Sequence, residues 1–141
     1  MNNAEILHDF LQRVWVDADM SVVDTVFAPD TGAEGLLPDM KLTPEDFKTM
    51  VQALLNLVCN PEVTAIKTLC DENWVSVMTR VRAESQINSA VITATGQIMA
   101  RFENGRIVEV YNHFDFLGLF QQLGLISVEA VTLCLSGEPL I

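Results

Sequence analysis

Residues 101–124, RFENGRIVEVYNHFDFLGLFQQLG, hold the end of one strand, a tight turn, a second strand and the start of a helix. The turn is Glu103-Asn104-Gly105, since asparagine and glycine tolerate the positive φ that hairpin turns require. The segment after it, 106–115, is rich in Val, Ile and aromatic residues and predicts a strand. The apolar run that follows has helical spacing. This stretch therefore predicts a β-hairpin that leads into the last helix of the fold.

The preceding segments extend the sheet. Residues 62–70, 74–83 and 87–102 are also rich in β-branched and aromatic residues, and short polar sequences separate them. Consecutive strands joined by short turns form antiparallel pairs. We therefore predict a meander of four antiparallel strands in the second half of the chain.

The first half has helical periodicity instead. An opening helix, with Asn2 or Asn3 available as its cap, carries apolar residues at the spacing of one helical face: Ile6, Leu7, Phe10, Leu11, Val14 and Trp15. A second short helix is predicted from Asp19 or Ser21 to a point before Pro29. Each of these helices needs an apolar surface to pack against.

A third helix follows a loop predicted over residues 30–42. Thr43 is a capping residue, Pro44 suits the first helical position, and acidic residues follow at the positive end of the helix dipole. The apolar face of this helix is predicted to continue through Val58, until Asn60 and Pro61 end it. Helices followed by strands indicate an α+β fold with the helices on one face of the sheet.

The sheet has apolar residues on both faces. Val75, Val77 and Val81 alternate with Trp74 and Met78 along one strand. Helices can cover only one face, so a second subunit is the natural cover for the other. We therefore expect a homodimer with an interface of about 1,500 Å² or more.

Composition narrows the choice of partners. Hydrophobic residues make up 50% of the 141-residue chain, so some apolar surface is expected to be covered by a ligand or a partner. The formal net charge of −11 repels phosphate backbones and anionic lipid headgroups, which argues against nucleic acid and membrane partners. Because no basic leader or long apolar segment is present, we expect a cytoplasmic protein.

Metal and cofactor motifs are absent from the sequence. Its three cysteines form no CxxC pair, and its two histidines, His8 and His113, form no HxH or HExxH motif. Neither a GxGxxG nor a P-loop sequence occurs. We therefore expect no metal and no cofactor.

Two segments resemble a known family, the SnoaL-like polyketide cyclases. The sequence VWVDADMSVVDTVFAPD, residues 14–30, is similar to the end of that family's first helix and the short helix after it. Residues 101–124 are similar to its closing strand, its aromatic-x-x-x-Asp pattern and its Gln-Leu-Gly helix. The resemblance covers residues 4 to 124. It implies a nuclear-transport-factor-2-like or ketosteroid-isomerase-like fold, a curved antiparallel sheet wrapped around N-terminal helices into a cone (a cystatin-like α+β barrel).

The resemblance also implies a site on the last strand. Asp115 matches the family's catalytic Asp, and strand alternation puts Glu109, Tyr111 and His113 on the same face. If that face lines the cone, Asp115 is a candidate acid/base residue, His113 a candidate oxyanion or proton-relay group, and Trp15 a further pocket residue. The alternative is that Asp115 is simply the N-cap of the last helix.

Two functions follow as hypotheses. The first is acid/base chemistry on a carbonyl compound, of isomerase, aldol cyclase or dehydratase type, in a hydrophobic pocket for a small organic ligand. The second is a non-catalytic ligand-binding or dimerisation module of the same fold. We expect one domain over 1–141, with an extension from about residue 125 that includes a short helix. Its apolar residues are expected to cover the mouth of its own cavity or the partner subunit.

Overall fold

The computed structural model describes residues 1–36 and 38–141, and in it three helices precede the four long strands, as predicted. The helices are α1 (Asn3–Trp15), α2 (Ser21–Val26), α3 (Pro44–Leu55), α4 (Phe116–Gln122) and α5 (Ala130–Leu135). The strands are β1 (Ala33–Glu34), β2 (Lys41–Leu42), β3 (Val58–Asp71), β4 (Trp74–Ser85), β5 (Val91–Glu103) and β6 (Arg106–Phe114). This content is that of an α+β fold.

Helices α1 and α3 start where the capping signals of the sequence predict, whereas α2 begins after Met20 and, contrary to prediction, has no side-chain cap. The Asn2 side chain accepts the backbone N–H of Glu5, whose own carboxylate accepts the Asn2 N–H, so α1 begins with a capping box. The Thr43 hydroxyl accepts the Asp46 N–H at 3.1 Å, with Pro44 at the first helical position of α3. Local chemistry therefore fixes where these two helices begin.

The strands form a six-stranded, unclosed sheet in the order β2-β1-β6-β5-β4-β3. Strands β3 to β6 are the predicted antiparallel meander, and β1 pairs with β6 in parallel. The β5–β6 turn has positive φ at both Asn104 (51°) and Gly105 (76°), which confirms the predicted tight turn. Strand β3 forms one edge of the sheet.

Two boundary predictions are wrong. Residues 30–42, predicted as a loop, contain β1 and β2, which pair with each other and, through β1, with β6. Helix α3 ends at Leu55, and Asn60 and Pro61 lie inside β3, at a register shift between Cys59 and Glu62. Proline is tolerated there because an edge strand has N–H groups without ladder partners.

The core lies between the helices and the concave face of the sheet. The ring of Phe10 from α1 is 5.4 Å from that of Phe27 and 6.3 Å from that of Phe47. Around them pack fully buried valines of the sheet, among them Val75 and Val77. A second cluster joins α4 to the sheet through Ala83, Ile92, Leu119 and Leu123. The helices therefore cover one face of the sheet, as predicted.

The C-terminal residues form the predicted short helix, α5, which ends before Gly137 (φ 83°). Of this helix only Ala130 is buried, whereas Leu135 is largely exposed, as is Val128 just before the helix. No described residue of the tail belongs to the wall of the interior cavity, and the expectation that the tail covers the mouth of the cavity or the partner subunit stays a prediction. None of the described helices is long and apolar enough to cross a membrane.

Candidate functional site

An interior cavity of about 80 Å³ lies between the helices and the sheet. Helices α1, α3 and α4 contribute Trp15, Met50 and Leu119, and the sheet contributes mainly aliphatic side chains. The polar residues in its wall are Thr79, Gln97 and Asn112, and no described residue of the wall is titratable. The cavity is therefore an apolar site with a few neutral hydrogen-bonding groups.

Strand β6 presents the face opposite to the predicted one to this cavity. Val110 is buried, and Asn112 and Phe114 line the cavity, whereas Tyr111 and His113 are exposed on the outer face. Glu109 is half-buried on that outer face as well. The expectation that Glu109, Tyr111 and His113 line the cavity is therefore wrong. Trp15 does contribute to the cavity wall.

On the outer face, Glu109 and Tyr111 belong to a hydrogen-bonded group. The Tyr111 hydroxyl donates to Glu109 Oε2 at 2.5 Å, and Arg101 Nε donates to Glu109 Oε1 at 3.0 Å. The Tyr111 hydrogen bond, followed by that of Arg101, lowers the pKa of Glu109, while the bond to Glu109 raises the pKa of Tyr111. The Tyr111 ring stacks at 6.5 Å from Trp74. This arrangement rigidifies the outer surface and leaves Glu109 ionised.

Asp115 lies at the start of α4, as the capping alternative predicts. Its Oδ1 accepts the backbone N–H of Gly118 at 2.9 Å, and the residue is exposed and absent from the cavity wall. The backbone carbonyl of Asp115 also accepts the N–H of Leu119. The geometry favours a helix cap, and the catalytic role of Asp115 stays a prediction.

His113 borders a second, open cleft of about 660 Å³ on the outside of the molecule. The other described residues of this cleft belong to the β1–β2 connection and its flanks, among them Glu34, Asp39 and Lys41. Among the described residues, no hydrogen bond joins His113 to Asp115. Leu36 borders both this cleft and the interior cavity, so the two spaces share a wall residue.

Sequence reasoning missed Asn112, the polar side chain that β6 directs inward. Alternation divided the strand correctly into two sets but did not say which set faces the core. The signal was present in the neighbours of Asn112, because Val110 and Phe114 share its face and apolar residues mark the buried side of a strand.

Metal ligands are not clustered in this site. Among residues 1–36 and 38–141, no three His, Cys, Asp or Glu side chains lie close enough together to hold a metal ion. The chemistry of the interior wall is therefore that of neutral hydrogen bonds and apolar contact.

Solved structures of other proteins share this fold. IdmH, a proposed polyketide cyclase from Streptomyces antibioticus, superimposes with a TM-score of 0.78 at 17% identity, over 88% of this chain and 99% of that one. A proposed polyketide cyclase from Acidithiobacillus ferrooxidans has a TM-score of 0.73 at 21% identity, over 86% and 94% of the two chains. A protein with a ketosteroid isomerase-like fold from Catenulispora acidiphila, solved in complex with trimethylamine, has a TM-score of 0.72 at 15% identity, over 86% and 94%. At these identities the likeness shows the fold alone.

The family assignment rests on the sequence. No curated protein matches the chain significantly. The model of the SnoaL-like polyketide cyclases, in contrast, matches residues 5–123, which is most of the chain and includes every strand and helices α1 to α4. The protein therefore belongs to the SnoaL-like polyketide cyclase family.

Proposed function

We propose that this protein binds a neutral, largely apolar small molecule in its interior cavity. The observation that carries the proposal is the composition of the cavity wall, in which aliphatic and aromatic side chains surround a few uncharged polar groups. A charged ligand would lose its hydration there without meeting an opposite charge among the described wall residues, which is strongly unfavourable. A neutral organic molecule gains from the same burial.

The ligand has to widen the cavity when it binds. The cavity volume of about 80 Å³ is well below the roughly 300–1,000 Å³ of pockets that enclose drug-sized molecules. Met50 and Leu36 lie in the wall, and methionine is the most adaptable apolar side chain. Movement of Leu36 would also join the cavity to the outer cleft, which gives the ligand a route of entry.

Binding without catalysis is favoured over the acid/base alternative. Membership of the SnoaL-like family suggests chemistry of cyclase or isomerase type. A general base has to reach the proton that it removes, and neither Asp115 nor His113 is among the residues of the cavity wall. Catalysis would have to take place outside this cavity or after a rearrangement of β6 and α4. Turnover that Asp115→Asn abolishes would restore the catalytic hypothesis.

Methionine methyl groups provide a direct test of the binding site. With ¹³C-methyl methionine, a titration with cyclohexanone should shift the Met50 signal, because Met50 lies in the cavity wall. Met78 and Met99 are exposed on the outer sheet face and serve as internal controls. If Met50 stays unshifted up to the solubility limit of the ketone, or if only the two outer methyl groups respond, the proposal is wrong.

A homodimer formed through the outer sheet face is a second proposed function. The observation that favours it is a set of exposed apolar side chains on the outer face: Met99 lies opposite Tyr111, Leu69 lies in the same cross-strand row beyond Ser76, and Met78 is two residues along β4 from Ser76. Exposed apolar side chains that cluster in this way mark interaction sites.

Sedimentation at micromolar concentration is expected to give twice the 15.6 kDa chain mass. A Met99→Lys variant is expected to sediment as a monomer, because its ammonium groups would be buried in the interface. Exposed Thr93 lies further along β5, on the same face, so Thr93→Lys is a matched control expected to perturb the dimer less. A monomeric wild-type protein would refute this proposal.

A further inference from the structure

The inner row of strand β6 carries one polar side chain between two apolar ones. Val110 is 1% exposed, and Phe114 packs against the main core cluster. Asn112 lies between them and opposite Ile98 of β5, which is also buried. Strand alternation therefore directs the Asn112 side chain to the concave side of the sheet, where it forms part of the cavity wall.

The side-chain amide of Asn112 has no hydrogen-bond partner within residues 1–36 and 38–141. Among the described residues, Arg106 Nε is the sole side-chain atom that is both fully buried and without a hydrogen-bond partner. The Asn112 amide atoms are not in this class, so they are not fully buried. The amide therefore lies in the cavity wall, and no described residue uses its two N–H donors or its carbonyl acceptor.

The other inward polar side chain is already engaged. The Thr79 hydroxyl donates to the backbone carbonyl of Gly96 at 3.3 Å. Gly96 is closely surrounded, since an added Cβ would lie 3.0 Å from both the His113 carbonyl oxygen and the Phe114 ring and 3.3 Å from Thr79 Oγ1. The side chain of Gln97 donates to Ser76 on the outer strand face. Asn112 is thus the inward amide that can both donate and accept a hydrogen bond, whereas Trp15 contributes a donor alone, its indole N–H.

We infer that Asn112 anchors a neutral, largely apolar ligand in the cavity, with the amide N–H donating a hydrogen bond to an uncharged oxygen of that ligand, such as the oxygen of a ketone. This inference rests on the proposed binding function, and it adds the side chain that determines which neutral ligands bind most tightly. An unpaired amide in an apolar wall is unfavourable, and a ligand carbonyl relieves that cost where a hydrocarbon does not. The amide cannot act as a general base at neutral pH, so Asn112 orients the ligand without removing a proton from it.

Two neutral probes of the same shape test the anchor. Cyclohexanone and methylenecyclohexane differ in having an oxygen or a CH₂ group at one position. Wild-type protein should bind the ketone about fivefold more tightly, as expected for one net hydrogen bond, with the Met50 methyl group as the reporter. In Asn112→Leu, which keeps the branching of the side chain and removes its polar atoms, this ratio should fall to about one or below.

The matched control is Asn56→Leu. Asn56 is exposed at the C-terminal end of α3 and is not part of the cavity wall, so the ratio should stay at its wild-type value. Since a variant that fails to fold would report nothing, Asn112→Asp provides a second test. Its carboxylate repels a carbonyl oxygen, so it should weaken ketone binding at neutral pH and recover it as the pH is lowered.

The outcomes separate this inference from the binding function on which it rests. If neither probe shifts Met50 in the wild-type protein, the proposed binding function itself fails. If both probes bind equally well, or if Asn112→Leu keeps the preference for the ketone, the cavity binds small molecules but Asn112 is not the anchor. A preference that disappears only in the Asn112 variants supports the inference.

Discussion

The cap of helix α4 gives the sharpest test of how Asp115 is used. Replacing an N-cap aspartate by alanine costs about 1 kcal/mol. With an unfolding entropy of roughly 2.1 cal/mol/K per residue, 141 residues give about 0.3 kcal/mol/K, so Asp115→Ala should lower the melting temperature by about 3 °C. Asp115→Asn should leave it nearly unchanged, because asparagine caps equally well.

Gly118 makes this test more specific. Alanine in place of a helical glycine normally stabilises a helix by up to about 1 kcal/mol. Here a Cβ on residue 118 would overlap with Asp115 Oδ2, so the carboxylate would have to leave its capping position. In the wild-type background, the stability that Gly118→Ala gains through helix propensity and the stability that it loses with the cap should nearly cancel. In the Asp115→Ala background, Gly118→Ala should raise the melting temperature by about 3 °C.

Thermal unfolding of the four proteins, followed by circular dichroism, measures the coupling between the two positions. A coupling of about 1 kcal/mol is expected from the lost cap. If the two substitutions are additive, and Asp115→Ala alone leaves the melting temperature unchanged, the carboxylate is not engaged at the helix start. The capping argument would then be wrong, and the acid/base role of Asp115 would gain support.

Three further changes follow from the structure. Tyr111→Phe should raise the pKa of Glu109 toward 4.5, because the tyrosine bond is the largest cause that lowers it. Because the pKa of Glu109 is lowered in the folded protein, its ionisation contributes stability that is present above pH 4.5 and is lost as the pH falls further. The variant should therefore lose less stability in acid than the wild-type protein. NMR titration measures the pKa, and unfolding at each pH measures the stability. Leu36→Ala should lower the free energy of unfolding by about 2–3 kcal/mol. Because it enlarges the cavity, the bulkier ketone 2-decalone should shift the signal of the Met50 methyl group more strongly than in the wild-type protein. Truncation after Ile126 should lower the melting temperature of the monomer by less than about 3 °C, since only Ala130 of α5 is buried, and a larger fall would contradict this.

Local signals predicted most of the fold. The cap at Thr43, the Asn104-Gly105 turn and the four long strands depend on neighbours in sequence, and the structure has them close to where they were expected. The two-residue strands β1 and β2 were not predictable in this way, because they exist through pairing with each other and with β6, which is far away in sequence. Tertiary contact overrides weak local preference in such segments.

The site was less predictable than the fold for a related reason. The alternation of residues 107–115 defines two faces, and only the apolar character of Val110 and Phe114 indicates which one the helices cover. The acidic and aromatic residues drew attention to Glu109, Tyr111 and Asp115, while the inward face carries Val110, Asn112 and Phe114. The capping alternative for Asp115 depended only on adjacent residues, and the structure has that bond.

The irregular edge strand β3 has a consequence for how molecules of this protein meet in concentrated solution. A long, straight edge with free backbone groups would recruit the edge of another molecule and propagate into fibres. Strand β3 is 14 residues long, but its pairing shifts between Cys59 and Glu62 and again between Ala65 and Lys67. Pro61 lacks an N–H, Lys67 adds charge, and Gln12 of α1 donates to the Val63 carbonyl at 2.7 Å. The kinks that bend this strand therefore also act as a safeguard against aggregation, and a straightened, proline-free β3 should form fibrils where the natural strand stays dispersed.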